Sequence, residues 1–220
     1  MTEEEGVIQF AYTLEPGAAT IATPLLAELR AWRSVLRDLE LLGEEPQRYG
    51  GFGYGNLSLR CSRSDFVITA SQSSGETTLE ARDIVQICDV DLATFHVKAR
   101  GARPPSSESL THAMLYAADD AVHVVFHVHS PEIWNARNTL DLPATAADVP
   151  YGTPAMAEAV KALMDRQSRR PLLFVTAGHE DGVFAAGATL HECGAQLVSC
   201  LARARALDSD SPAGQTRRTR

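Results

Sequence analysis

The sequence predicts an α/β fold, a mixed sheet flanked by helices, and three observations carry that expectation. Apolar residues recur at three- and four-residue steps in several separate stretches, the period of a helix with one buried face. Between them lie short runs rich in β-branched and aromatic residues, each bounded by Gly, Ser or Asp, as strands that end in turns are. Neither an internal repeat nor a linker divides the 220 residues, a length that one substantial core can serve.

Taken in order, the first five residues are acidic and residues 7–14 (VIQFAYTL) have the composition of a short strand. Residues 1–20 are therefore expected to form an N-terminal extension carrying that strand. From 23 to 42, Leu25, Leu26, Leu29, Trp32, Leu36 and Leu39 mark an amphipathic helix, with Pro24 near its start and Gly43 just past its end. Strands are expected at 56–61, 66–69, 84–88 and 94–98, spaced for antiparallel hairpins rather than crossovers. Residues 104–107 (PPSS) close this region, and 108–118 reads as a helix with Ser106 or Ser107 at its N-cap. A strand at 122–128 follows, then helices at 131–138, 154–166 and 189–206, with strands at 172–176 and 183–186 between the last two. Strands interleaved with helices in this way build a sheet covered by helices. The main domain is expected over 21–207 and a polar, disordered tail over 208–220.

The formal net charge is −8, and the cationic residues are scattered apart from Arg217, Arg218 and Arg220. Such a surface repels a phosphate backbone, so neither nucleic acid nor an anionic membrane is expected as a partner. The start, Met1-Thr-Glu-Glu-Glu, is unlike a secretory signal, and no stretch is apolar enough to span a bilayer; a cytoplasmic protein is expected. Cys61, Cys88, Cys193 and Cys200 form no CxxC pair, which argues for buried thiols rather than disulfides or a thiolate metal knot.

The strongest chemical signal is residues 124–130 (VVFHVHS), where His127 and His129 stand two apart on a strand. Strand alternation puts both imidazoles on one face, where they need hydrogen-bond partners or a metal. His179 lies at another strand end between glycines, and three His with an open position is how catalytic zinc is held. Glu108 sits on the first turn of a helix. Beside a metal it would either take the fourth position or move a proton; by itself it would serve the helix dipole.

Six segments in this order resemble the class II aldolase/adducin family over about residues 23–206: GNLSLR (55–60), VITAS (67–71), PSSE (105–108), FHVHS (126–130), YGT (151–153) and GHEDG (178–182). The resemblance implies a three-layer α/β/α sandwich with a mostly antiparallel central sheet. It implies Zn2+, or another divalent cation, bound by His127, His129 and His179, with Glu108 as fourth ligand or acid/base. The implied protein is a homotetramer with sites between subunits, acting on a small molecule in carbohydrate metabolism. Its chemistry would be that of a lyase, an aldolase or a decarboxylase/dehydratase, stabilising an enediolate of a hydroxy-carbonyl compound, free or phosphorylated. A sugar-phosphate epimerase and a non-catalytic, adducin-like interaction module are the alternatives within the same fold.

In sugar-phosphate aldolases of that family the phosphate is held by backbone amides and by Asn, Ser and Thr, positions that map to Asn56, Ser71, Ser106 and Ser107. This chain departs from the pattern twice. Gln72 replaces a phosphate-loop glycine, and residues 144–148 (ATAAD), just after Leu142-Pro143, hold no tyrosine, where relatives carry a proton donor. Among the remaining polar residues, His112 and Tyr116 lie four apart on a helix and are expected as a buried hydrogen-bonded pair. His96, His123 and His191 are expected to be structural or solvated, Arg100 and Arg103 to coat the surface, and Tyr151 to pack at a turn.

Overall fold

The computed structural model describes residues 6–63, 65–167 and 171–210. Residues 1–5 and 211–220, the acidic start and most of the expected tail, lie outside the described residues.

The chain begins with β1 (Ala11–Glu15) and α1 (Thr23–Asp38). Pro24 opens α1 as expected, but Gly43 does not close it: the helix stops at Asp38, and Glu40 takes a left-handed φ of 59°. The Leu41 N–H bonds back to the Leu36 carbonyl, a C-terminal wrap that satisfies the last carbonyls without glycine. Leu41 and Leu42 then leave the helix and bury beside the sheet. Next come β2 (Gly43–Glu44), β3 (Gly53–Tyr54), β4 (Asn56–Arg60), β5 (Phe66–Thr69), β6 (Ile84–Asp91) and β7 (His96–Arg100).

The second half holds α2 (Ser109–Ala118), β8 (Val124–His129), α3 (Pro131–Ala136), α4 (Pro154–Arg166), β9 (Leu172–Val175), β10 (Gly182–Gly187) and α5 (Leu190–Asp210). Helix α5 runs past Ala206, so residues 208–210 are helical rather than tail. The α2 boundary also differs from expectation. Glu108, not Ser106 or Ser107, is the N-cap residue, and its side chain makes no capping bond. The Ser106 hydroxyl instead accepts the Glu108 N–H at 3.3 Å, forming a tight turn one step before the helix. Glu108 is thereby left to face inward.

Eight strands form one sheet in the order β1, β7, β6, β5, β4, β8, β10, β9. All neighbouring pairs are antiparallel except β1 with β7. One apolar cluster joins Leu29 and Leu36 of α1, Ile133 of α3 and Leu197 and Leu201 of α5 to Leu57, Phe126 and Val128. The other joins Leu115 of α2 and Met156 and Val160 of α4 to Ile68, Val125 and Phe184. Successive residues of β8 therefore alternate between the two cores, and the three-layer sandwich is the result. No helix among the described residues is long and apolar enough to cross a membrane.

Candidate metal centre

His127 and His129 fall on the same side of β8 as Val125, the side covered by α2 and α4. They occupy the C-terminal end of a central strand whose register is set on both sides: Asn56 of β4 and Phe184 of β10 lie opposite His127, and Gly182 opposite His129. The His129 N–H bonds to the Leu41 carbonyl at 2.8 Å, which anchors the strand end beneath α1. The β9–β10 turn brings in His179, whose N–H bonds to the Thr176 carbonyl at 3.1 Å. A Cβ on Gly178 would fall 2.2 Å from the Val149 carbonyl oxygen, so glycine there is required by close backbone approach.

The three imidazoles converge. One nitrogen from each of His127, His129 and His179 lies within 4.8 Å of the others, and all three residues are buried. The two Nε2 atoms of His127 and His129 are 3.2 Å apart. The His127 Nδ1 lies 3.3 Å from the Val183 carbonyl; donating that bond leaves a lone pair on Nε2, the arrangement by which metal-bound histidines are oriented. Burial, reinforced by the proximity of His179, holds both His127 and His129 well below the usual histidine range. They are therefore neutral at pH 7 and able to ligate. Three imidazole nitrogens converging in a buried site form a donor set that fits a divalent cation such as zinc.

Glu108 stands beside this cluster, with Oε1 3.4 Å from His179 Nδ1 and Oε2 accepting the Thr111 hydroxyl at 2.7 Å. The residue is 1% exposed. The turn that deprives Glu108 of a capping role is thus what aims a carboxylate into the histidine cluster.

Behind the cluster, His112 and Tyr116 are both buried and hydrogen-bonded, though to a shared Ser58 hydroxyl at 2.7 and 2.6 Å rather than to each other. Burial lowers His112 to about 3. Tyr151 does pack at a turn, and what it packs on is His179, ring on ring at 4.5 Å.

Sequence reasoning missed the residues at the mouth of the site. The Tyr49 ring meets His129 edge-on at 4.6 Å, and its hydroxyl donates to Asp181 Oδ2 at 2.7 Å while accepting from Arg48 Nη2 at 3.0 Å. Tyr54 approaches His129 at 5.6 Å. Tyr49 and Asp181 both adopt positive φ, 48° and 60°, which non-glycine residues do at a conformational cost. A bond spanning 132 residues leaves no local pattern in sequence.

Asn56, Ser71, Ser106 and Ser107 line one small pocket, and Asn56 is the register partner of His127 across β4 and β8. Arg100 is exposed, whereas Arg103 is not a surface coat. Its guanidinium donates to the Gln72 carbonyl at 2.8 Å and pairs with buried Asp83 at 2.8 Å, because the loop after β5 needs partners for carbonyls that no strand satisfies. His96 bonds Thr13 at 3.0 Å, and His123 and His191 are exposed.

Residues 46–207 match the family described as Class II Aldolase and Adducin N-terminal domain. No curated protein sequence matches the chain significantly. Among solved structures, the chain is similar to L-fuculose-1-phosphate aldolase from Thermus thermophilus, at 20% identity and TM-score 0.62 over 84% of this chain and 93% of that one. It is similar to YgbL from Klebsiella pneumoniae at 18% identity and TM-score 0.64, over 88% and 93% of the two chains. A sugar-phosphate aldolase from Thermotoga maritima aligns at 16% identity and TM-score 0.61, over 84% and 93%. At these identities the structural likeness speaks for the fold.

Proposed function

The chain belongs to the class II aldolase and adducin family, and on that premise we propose that it is a zinc-dependent lyase acting on a small hydroxy-carbonyl compound. The observation that carries this reading is the convergence of three buried imidazoles on one point, two of them held neutral by burial, with a buried carboxylate beside them. His127, His129 and His179 would hold the cation, which supplies Lewis acidity toward a carbonyl or hydroxyl oxygen.

The remaining work falls to the chain itself. Glu108 exchanges a proton with the substrate through Oε1, while Thr111 fixes the other oxygen and so the plane of the carboxylate. Tyr151 holds the His179 ring by stacking, and the Val183 carbonyl fixes the tautomer of His127. The apolar surroundings exclude water from the reacting atoms, which strengthens every charge interaction made there. Aldol cleavage, decarboxylation and dehydration all begin from this arrangement. In this reading the protein is a homotetramer in the cytoplasm.

Metal analysis of the purified chain tests the proposal directly: about one zinc per chain is expected, and no stoichiometric divalent ion after zinc is supplied would refute it. A screen of hydroxy-carbonyl compounds with product analysis then separates carbon–carbon cleavage from loss of water or CO2. Sedimentation analysis tests the tetramer.

A further inference from the structure

A small pocket lies at Asn56, the register partner of His127 across β4 and β8. Building on the reading above, we propose that Gln72 is a specificity-determining residue: its side chain closes this pocket to a phosphoryl group and leaves a subsite for an unphosphorylated hydroxyl.

The pocket is lined by Gly53, Asn56, Ser71, Gln72, Ser106 and Ser107 among others, and its volume is about 10 Å3. That is the space of a single water, for which ~10–15 Å3 is needed; a group with three terminal oxygens does not enter. The cause is local. Gln72 takes a left-handed φ of 55°, which turns its side chain back across the loop, and its Oε1 accepts the Gly53 N–H at 2.8 Å. The backbone amide that an anion would otherwise recruit is already in use. A Cβ on Gly6 would lie 2.0 Å from Gln72 Nε2, so the N-terminal segment passes directly over the amide and covers it.

The chemistry of the lining agrees with its size. No Lys or Arg lines the pocket, and Arg103 spends its guanidinium on the Ser71 and Gln72 carbonyls and on Asp83. With no counter-charge, a phosphate dianion would depend on free backbone N–H groups, and Gln72 occupies that of Gly53. What the pocket offers instead are serine hydroxyls and the Asn56 Oδ1, a buried acceptor with no hydrogen-bond partner among the described residues. A hydroxyl, donor and acceptor at once, satisfies that oxygen; a phosphate oxygen cannot. Asn56 lies directly opposite His127 in the β4–β8 register, so a short substrate reaching the histidines places its next hydroxyls at this subsite.

The test is calorimetric titration of the purified full chain with inorganic phosphate, for the native protein and for Gln72→Gly and Gln72→Ser. Both variants shorten the side chain and release the Gly53 N–H, and glycine also relieves the positive φ. A metal-stripped arm separates phosphate taken up at the histidines from phosphate in the pocket. The expected result is no detectable pocket binding by the native chain and at least tenfold tighter binding in both variants. Submillimolar pocket binding by the native chain, or no gain in either variant, overturns the proposal. The titration needs no turnover, so its outcome is independent of the metal analysis that tests the lyase reading.

Discussion

The histidine cluster and the loop carrying Gln72 are neighbours, yet different forces hold them. His127 and His129 ride on β8, clamped between β4 and β10 with an apolar core on each face. The loop after β5 has no strand partner over residues 70–76, and arginines do the work of a ladder. Arg33 of α1, only 3% exposed, donates to the carbonyls of Ser73, Ser74 and Glu76 at 2.8, 3.1 and 2.6 Å, and Arg37 joins it at Glu76. Arg103 takes the carbonyls on the other side. The two strand histidines thus depend on sheet register, which is costly to alter, while the pocket around Gln72 depends on a few side-chain bonds that can be changed one at a time.

Breaking the strand side should have the largest effect. His129→Ala is expected to reduce bound zinc from about one per chain to background, read by metal analysis, and to abolish turnover with it. Glu108→Gln should separate holding from reacting: metal content stays at the native level while kcat falls by about 10²–10⁴. Full activity in that variant would remove Glu108 from the proton-transfer role.

Breaking the loop side should cost stability and leave the metal in place. Arg33→Met keeps the buried aliphatic stem but removes three charge-assisted hydrogen bonds and orphans the Ser74 carbonyl, so urea unfolding is expected to show a loss of about 3 kcal/mol at unchanged zinc stoichiometry. A loss of metal in this variant would mean that the two regions are coupled.

The most gradual effect concerns pH. Burial lowers His112 from 6.5 to about 3, so below about 6.5 the unfolded chain takes up a proton that the folded chain refuses. Its neutral burial therefore favours the folded state less and less as pH falls from about 6.5 toward 3. The expected slope is about 1.4 kcal/mol per pH unit for one such group. Metal-free His112→Gln should lose stability with acid less steeply than the metal-free native chain by that amount, read from urea midpoints at a series of pH values. His127 and His129, lowered in the same direction, contribute to the dependence that remains.

Much of this was readable from one sequence where the signal was periodic. Two-residue spacing placed His127 and His129 on one face, and three- and four-residue spacing located every long helix. Errors fell at ends and in loops. The α1 terminator was sought at Gly43, but Glu40 adopts the left-handed turn because Leu41 and Leu42 gain burial by following it. Ser106 was expected to cap α2, and it stabilises the preceding turn instead. Arg103 was expected at the surface, since nothing in its own neighbourhood reveals the carbonyls it serves some thirty residues earlier in the chain.

The sequence by itself determined the fold class, the order of the elements and the identity of the metal-binding candidates, because hydrophobic period and residue chemistry are written locally. Only the tertiary structure decided that His179 and Glu108 meet 3.4 Å apart, that Tyr49 reaches Asp181, and that Gln72 fills the pocket its own loop helps to form. Those outcomes depend on register and loop closure between segments up to 132 residues apart. The energy of such contacts appears only once the intervening core has packed and brought the segments together.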